Sequence, residues 1–96
     1  MAFKVRINIR AQAEIEIAYD WYSKSSPNAG NRFLESLESA YGVLKVNPYY
    51  QIRYRNVRSI SLRQFPYSVY FMVEEAQNTV RVLSCFHQHR NTSSRP

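Results

Sequence analysis

The sequence predicts an α+β domain in which an N-terminal two-helix hairpin packs on an antiparallel β-sheet, in the order β-α-α-β-β-β(-β). Three observations carry that prediction. Apolar positions repeat with period two near the N-terminus, with a helical period over the next part of the chain, and with period two again over the second half. The helical stretches follow one another instead of alternating with strands, which separates this class from doubly wound folds. The chain has 96 residues, enough for one core, so residues 1–90 are assigned to a single domain.

Phe3, Val5, Ile7 and Ile9 alternate with Lys4, Arg6, Asn8 and Arg10, the pattern of a half-buried strand with one basic face. From Ala11 the period lengthens: Ala11, Ile15, Ala18 and Tyr22 fall on one helical stripe, with Glu14, Glu16 and Asp20 largely elsewhere on the wheel. Asn8 and Gln12 are the polar candidates for capping this helix, and Glu14 and Glu16 lie towards the positive end of its dipole. Ser23-Lys24-Ser25-Ser26-Pro27 interrupts it, with a proline suited to the first position of a second helix. So short a break makes the helices antiparallel neighbours. The second helix carries Phe33, Leu37, Ala40 and Leu44 on one stripe, widened by Leu34 and Tyr41. It ends near Asn47, because Pro48 disfavours helical geometry in the residue before it. Gly42 within it costs about 1 kcal/mol relative to Ala and is read as marking a close helix contact.

Four further strands are expected over Gln51 to Arg55, Arg58 to Phe65, Tyr67 to Glu74 and Thr79 to Phe86, the last two joined by a hairpin at Glu75-Ala76-Gln77-Asn78. Val69 to Val73 is apolar on both faces, which suits a central strand, whereas its neighbours alternate, which suits a sheet covered on one face only. The helices supply that cover. Asn91-Thr92-Ser93-Ser94-Arg95-Pro96 reads as a flexible tail, residues 91–96.

Hydrophobic residues make up 45% of the chain and aromatics 15%, which excludes a disordered segment. Thirteen Lys and Arg against seven Asp and Glu give a formal charge of +6, a field that would draw nucleic acid, an enzyme bound to nucleic acid, or an acidic inhibitory protein. The single cysteine, Cys85, excludes an internal disulfide and reads as a small buried hydrophobe. No charged n-region followed by an apolar stretch opens the chain, so a cytoplasmic location is expected. The longest apolar run, Val69 to Val73, falls far short of the roughly 18 residues a membrane span needs.

Arg53, Arg55, Arg58, Arg63 and Arg81 interleave with Tyr54, Tyr67 and Tyr70, a mixture suited to phosphate contacts with stacking on bases if strand alternation gathers them on one face. The alternative is a solvated sheet edge guarded by charge. His87 and His89 are two residues apart and would share a side of a strand, with Arg90 close by. A histidine moves protons near neutrality and an arginine stabilises a developing phosphorane, whereas a polar strand end in solvent is the alternative. Two His and one Cys do not supply the ligands of a metal site at recognised spacing, so neither metal nor cofactor is expected.

Val57-Arg58-Ser59-Ile60-Ser61-Leu62-Arg63-Gln64-Phe65-Pro66-Tyr67-Ser68-Val69-Tyr70-Phe71 is the most specific stretch. Asn47-Pro48 precedes it, and Val80-Arg81-Val82-Leu83 and His87-Gln88-His89-Arg90 follow. Together with Ala13-Glu14-Ile15-Glu16, Tyr19-Asp20-Trp21-Tyr22, Ser26-Pro27, Ala29 and Arg32-Phe33-Leu34, these residues resemble the RelE/ParE toxin superfamily from about Ile9 to Arg90. The ParE-like plasmid-stabilisation toxins are the nearer pattern. Within the motif, Phe65-Pro66-Tyr67 reads as a tight turn between antiparallel strands. The resemblance implies a growth-inhibiting toxin of a type II toxin-antitoxin pair, with a cognate acidic antitoxin that folds as it wraps the toxin.

The superfamily implies two activities. RelE-like members cut mRNA on the ribosome, and ParE-like members bind DNA gyrase and trap it on DNA. The nuclease pattern implies lysines on the strand before the turn, an arginine directly after the turn's tyrosine, and often a late tyrosine. With Leu62-Arg63 and Tyr67 as anchors, these positions hold Ser59, Ser61 and Ser68, and no tyrosine follows Tyr70. Hydroxyls cannot replace cations at a phosphorane, where each lost donor costs roughly 10²–10³ in rate. The gyrase-binding reading is therefore preferred. A RelE-like nuclease using His87 or His89 with Arg81 or Arg90 stays open, as does a basic RNA-binding domain without toxicity.

Overall fold

The computed structural model describes residues 2–89, so Arg90 and the tail expected at 91–96 lie outside the described residues. Strand β1 (Lys4–Ile7) passes into helix α1 (Ile9–Ser25) at Asn8, whose extended backbone makes it the N-cap, although its side chain makes no capping bond. Ile9, expected to prolong the strand, is instead the first helical residue and 89% exposed. The Asn8 N–H already makes a sheet bond to the Val82 carbonyl (2.9 Å), and the Asn8 carbonyl then accepts the first helical bond from Gln12 N–H. Only Ser26 separates α1 from helix α2 (Pro27–Val46), a shorter break than the serine-rich stretch suggested. The Ser26 Oγ accepts from Asn28 N–H at 3.3 Å, and Pro27 enters with a φ already suited to a helix. The second helix stops before Pro48, as expected.

The remaining strands are β2 (Ile52–Tyr54), β3 (Val57–Ser61), β4 (Tyr67–Glu74) and β5 (Thr79–His87), with one 3-10 turn, Glu75–Gln77, before β5. Asn78 completes that turn at φ 52°, a left-handed conformation that asparagine tolerates. The sheet runs β1-β5-β4-β3-β2. The α+β class and the element order stand, but the sheet is mixed: β2 to β5 are antiparallel, and β1 lies parallel to β5 at the edge. Parallel neighbours need a long crossover, and here the helices together with β2, β3 and β4 provide it. Strand β3 ends four residues earlier than expected, because Leu62 N–H already turns to the Tyr67 carbonyl (2.9 Å) and Gln64 adopts φ 69°.

Pairing between β4 and β5 slips once: Tyr70 faces Ser84 while Phe71 faces Val82, so Leu83 has no partner. Such a bulge reverses the face of every later residue on its strand. Val80 and Val82 therefore point to the helices before it and Cys85 after it, and all three are buried.

The helices cover one face. Ala11, Ile15 and Ala18 of α1 and Phe33, Leu37 and Ala40 of α2 pack on Tyr67, Val69, Val82 and Cys85, while Leu44 joins Phe71 and Val80 in a second cluster. An aromatic group closes one end of this layer: Tyr22 stacks on Phe33 (centroids 5.5 Å), and Phe65 meets both edge-on at 4.9 and 5.5 Å. Complete burial of one such side chain stabilises by about 1.5–3 kcal/mol, so the helix face of the sheet is the stability-bearing one.

The close helix contact falls at Gly30, not at Gly42. A Cβ on Gly30 would lie 2.1 Å from Ser23 Oγ and 3.0 Å from the Tyr19 ring, whereas one on Gly42 meets nothing within 4 Å. Gly30→Ala must rotate Ser23 and displace Tyr19, and is expected to lose about 1–2 kcal/mol of stability. Gly42→Ala, at an exposed helical position, is expected to gain about 0.5–1 kcal/mol. Urea denaturation of both variants checks this, and equal shifts in the same direction would contradict the assignment of the contact.

Candidate functional site

Because the hairpin covers one face, strand alternation turns Ser59 and Ser61 of β3 and Ser68 and Tyr70 of β4 to the other. The bulge at Leu83 adds Phe86, the cross-strand partner of Ser68. With Arg53 and Gln88 these side chains line a cleft of about 270 Å³ on the open face. Arg53 Nε donates to Ser59 Oγ at 3.0 Å, and Gln88 Nε2 donates to both Ser61 Oγ and Ser68 Oγ at 3.1 Å. Gln88 is itself fixed by its backbone N–H on the Pro66 carbonyl (2.8 Å). The lining holds one cation, three serine hydroxyls, the Tyr70 phenol and an amide, and neither carboxylate nor imidazole. It can bind an anion, but it lacks a group that exchanges a proton near neutrality.

The structure disperses the basic set. Arg53 and Tyr70 share the cleft, and Tyr67 lies on the opposite face among Tyr22, Phe33 and Phe65. Arg58 sits over the Tyr49 ring (5.3 Å) and donates to the Tyr50 carbonyl, so it anchors the loop after α2 to β3. Tyr49 in turn donates to Glu75 at 2.7 Å, and that bond to a carboxylate holds its phenol above its ordinary range. Arg55 occupies the β2–β3 turn at φ 50° next to the exposed Tyr54, and Arg63 lies in the β3–β4 turn, where its carbonyl accepts from Ser36 Oγ at 2.8 Å. Arg81 is on the open face but far along β5. It is clamped by both oxygens of Glu74 at 3.1 Å, and this pairing raises its pKa further. Arg6 of β1 is its register partner, so two like charges neighbour each other across the strands and the Glu74 carboxylate offsets them.

His87 and His89 do come together, with ring centroids 5.9 Å apart and His89 N–H on His87 Nδ1 at 3.1 Å. His87 is turned away from the cleft, however. Its ring meets Tyr67 edge-on at 5.1 Å and lines a smaller groove of about 170 Å³ beside α1, with Glu14, Ile17, Cys85 and Phe86, the last of which borders both spaces. Arg90, the third member of the expected group, lies outside the described residues. The sequence reading did not find the roles of Glu14, Phe86 and Gln88. Glu14 Oε1 accepts from Ser84 Oγ at 2.7 Å and from Cys85 N–H at 3.1 Å, serving the edge of β5 where β1 has ended. The one available signal was Phe86-His87-Gln88, where alternation sends Phe86 and Gln88 to the face opposite His87.

Residues 5–92 match the model of the family described as ParE toxin of the type II toxin-antitoxin system, parDE. No curated protein matches the chain by sequence. Among solved structures, the chromosomal ParDE toxin-antitoxin system of P. aeruginosa superposes with a TM-score of 0.74 at 18% identity, covering 90% of this chain and 96% of that one. The RelBE2 toxin-antitoxin complex of Mycobacterium tuberculosis gives 0.64 at 20% identity, covering 91% and 99% respectively. A mutant of E. coli RelE in the free state gives 0.63 at 17% identity, covering 93% and 86%. These likenesses establish a shared fold. No helix among the described residues is long and apolar enough to cross a membrane.

Burial, and then the nearby Glu14 carboxylate, push the Cys85 thiol from its ordinary 9.0 up to about 12. The folded chain therefore keeps a proton that the unfolded chain releases. The associated stability is complete below pH 9.0 and is lost as pH rises towards about 12. Burial raises the Tyr41 phenol in the same direction. Urea midpoints measured across this window should fall less steeply for Cys85→Ala than for the parent chain. Parallel declines would show that the thiol does not contribute.

Proposed function

The chain belongs to the ParE toxin family of type II toxin-antitoxin systems, and we propose that it arrests growth by binding DNA gyrase rather than by cutting messenger RNA. The observation that carries this reading is the hydroxyl-lined cleft. Its lining offers a single guanidinium and neither imidazole nor carboxylate, where ribonucleolytic transesterification needs both proton transfer and several cations. The candidate nuclease residues are also separated. His87 faces the α1 groove, and Arg81 lies five paired positions back along the sheet, about 17 Å away at roughly 3.4 Å per residue, in a bidentate pair with Glu74. An RNA-cleaving reading has one observation in its favour, the contact between His87 and His89, which joins two imidazoles at the strand end.

The physiological partner in this reading is a cognate antitoxin. The +6 charge favours an acidic segment that wraps the toxin and associates faster at low ionic strength. Gyrase and antitoxin both meet the toxin in the cytoplasm.

Purified protein, incubated with gyrase, ATP and relaxed plasmid, should inhibit supercoiling or accumulate cleaved DNA, while mRNA on translating ribosomes stays intact. His87→Ala and His89→Ala should leave growth arrest close to that of the parent. The nuclease reading replaces this one if mRNA is cut at the ribosomal A site and either substitution lowers that rate by roughly 10²–10⁴, the loss expected for a general acid or base.

A further inference from the structure

We propose that the exposed side of α1 is a self-association surface, on which two copies of the chain pair in inverted orientation through the row Ile9, Ala13, Ile17 and Trp21. These residues recur at every fourth position and all are exposed, Ile9, Ile17 and Trp21 by 89%, 65% and 54%. A single exposed apolar side chain is ordinary, but four in one unbroken row form a patch of the kind that marks an interaction site. The row is not needed inside the chain, because Ala11, Ile15 and Ala18 supply the buried side of α1. Its apolar surface continues past the helix, since Ile17 borders the groove with Tyr67, Cys85 and Phe86. Trp21 packs edge-on against Tyr22 at 5.1 Å, so the largest side chain of the row is held in place before a partner arrives.

Charge selects the occupant. Helix α1 carries Arg10 and Lys24 against Glu14, Glu16 and Asp20, more carboxylates than cations on a chain whose formal charge is +6. The excess of cations lies elsewhere, mostly on the strands and turns of the sheet, so an acidic partner or a nucleic acid is drawn there and not to α1. A second copy is itself basic and meets the least repulsion when both copies present this helix. The spacing supplies the fit. Side chains four apart form a ridge, and two such ridges interdigitate with their helices crossing at about −50°. A two-fold axis between Ala13 and Ile17 sets Ala13 of one copy against Ile17 of the other, and Ile9 against Trp21, so each smaller side chain meets a larger one. One helix crossing and its margins fall at the low end of specific interfaces, which corresponds to a dissociation constant on the order of 10 μM.

Sedimentation velocity of the full chain, alone and over about 1–200 μM, should show a monomer–dimer equilibrium. Ile17→Lys should remove the dimer over this range, and Trp21→Ala should raise its dissociation constant roughly tenfold. Val46→Lys, the same kind of exchange at a 77% exposed position at the end of α2, should leave it unchanged. Raising NaCl from about 50 to about 300 mM should tighten the dimer roughly threefold, because salt screens the repulsion between two basic chains, whereas antitoxin association weakens. An equal mixture of Ala13→Cys and Ile17→Cys chains should, on oxidation, cross-link between the two variants more readily than within either. The salt and cross-linking measurements hold even if a substitution unsettles α1. The proposal is overturned if the chain stays monomeric, if Ile17→Lys and Val46→Lys dimerise alike, if salt weakens the dimer, or if cross-links form as readily within a variant as between the two. No gyrase or RNA is present, so the result is independent of how the chain arrests growth.

Discussion

Strand β5 carries one residue more than β4 can pair, and that surplus at Leu83 sets the face of the side chains that follow. With unbroken alternation from Val80 and Val82, Ser84 and Phe86 would enter the helix-covered core, and Cys85 and His87 would meet solvent on the open face. The bulge reverses this. Cys85 enters the core, His87 turns to the groove beside α1 against Tyr67, and Phe86 becomes a wall of the open cleft. The separation of the imidazoles from the hydroxyl cleft, on which the functional reading rests, follows from one unpaired residue.

The same strand holds the two layers together. It is parallel to β1 on one side and antiparallel to β4 on the other, and its edge continues past the end of β1. A bare edge there would expose the Cys85 N–H and the Ser84 hydroxyl. Glu14 accepts from both and so ties α1 to the sheet at the point where strand pairing stops. Tyr22, Phe33 and Phe65 fasten the same end from the helix side. The hairpin is thus committed to one face, and the other face is free for a partner.

The larger pattern was legible in the sequence because burial on one face imposes it. The bounds expected for β4, Tyr67 to Glu74, agree with the structure, since an apolar run flanked by turn residues leaves little choice. Ser26-Pro27 likewise marked the junction between the helices. The bulge was not legible, because Val80 to Phe86 alternates acceptably in either phase and only pairing with β4 selects one. Nor was the parallel edge, which is a long-range choice. Arginines read as one set proved to have different roles, since Arg58 serves a loop, Arg81 answers Glu74, and Arg53 alone reaches the cleft. The serines at 59, 61 and 68 were recognisable as neutral replacements, and their convergence with Gln88 needed the fold.

The central claim is that this toxin fold presents a face that binds without catalysing. Pulse-labelling of thymidine and methionine incorporation after induction, in a host lacking the antitoxin, tests it most directly. The account predicts that DNA synthesis fails first, while methionine incorporation continues on intact messages. Immediate loss of methionine incorporation, with messages cut inside translated codons and DNA synthesis initially unaffected, would contradict it.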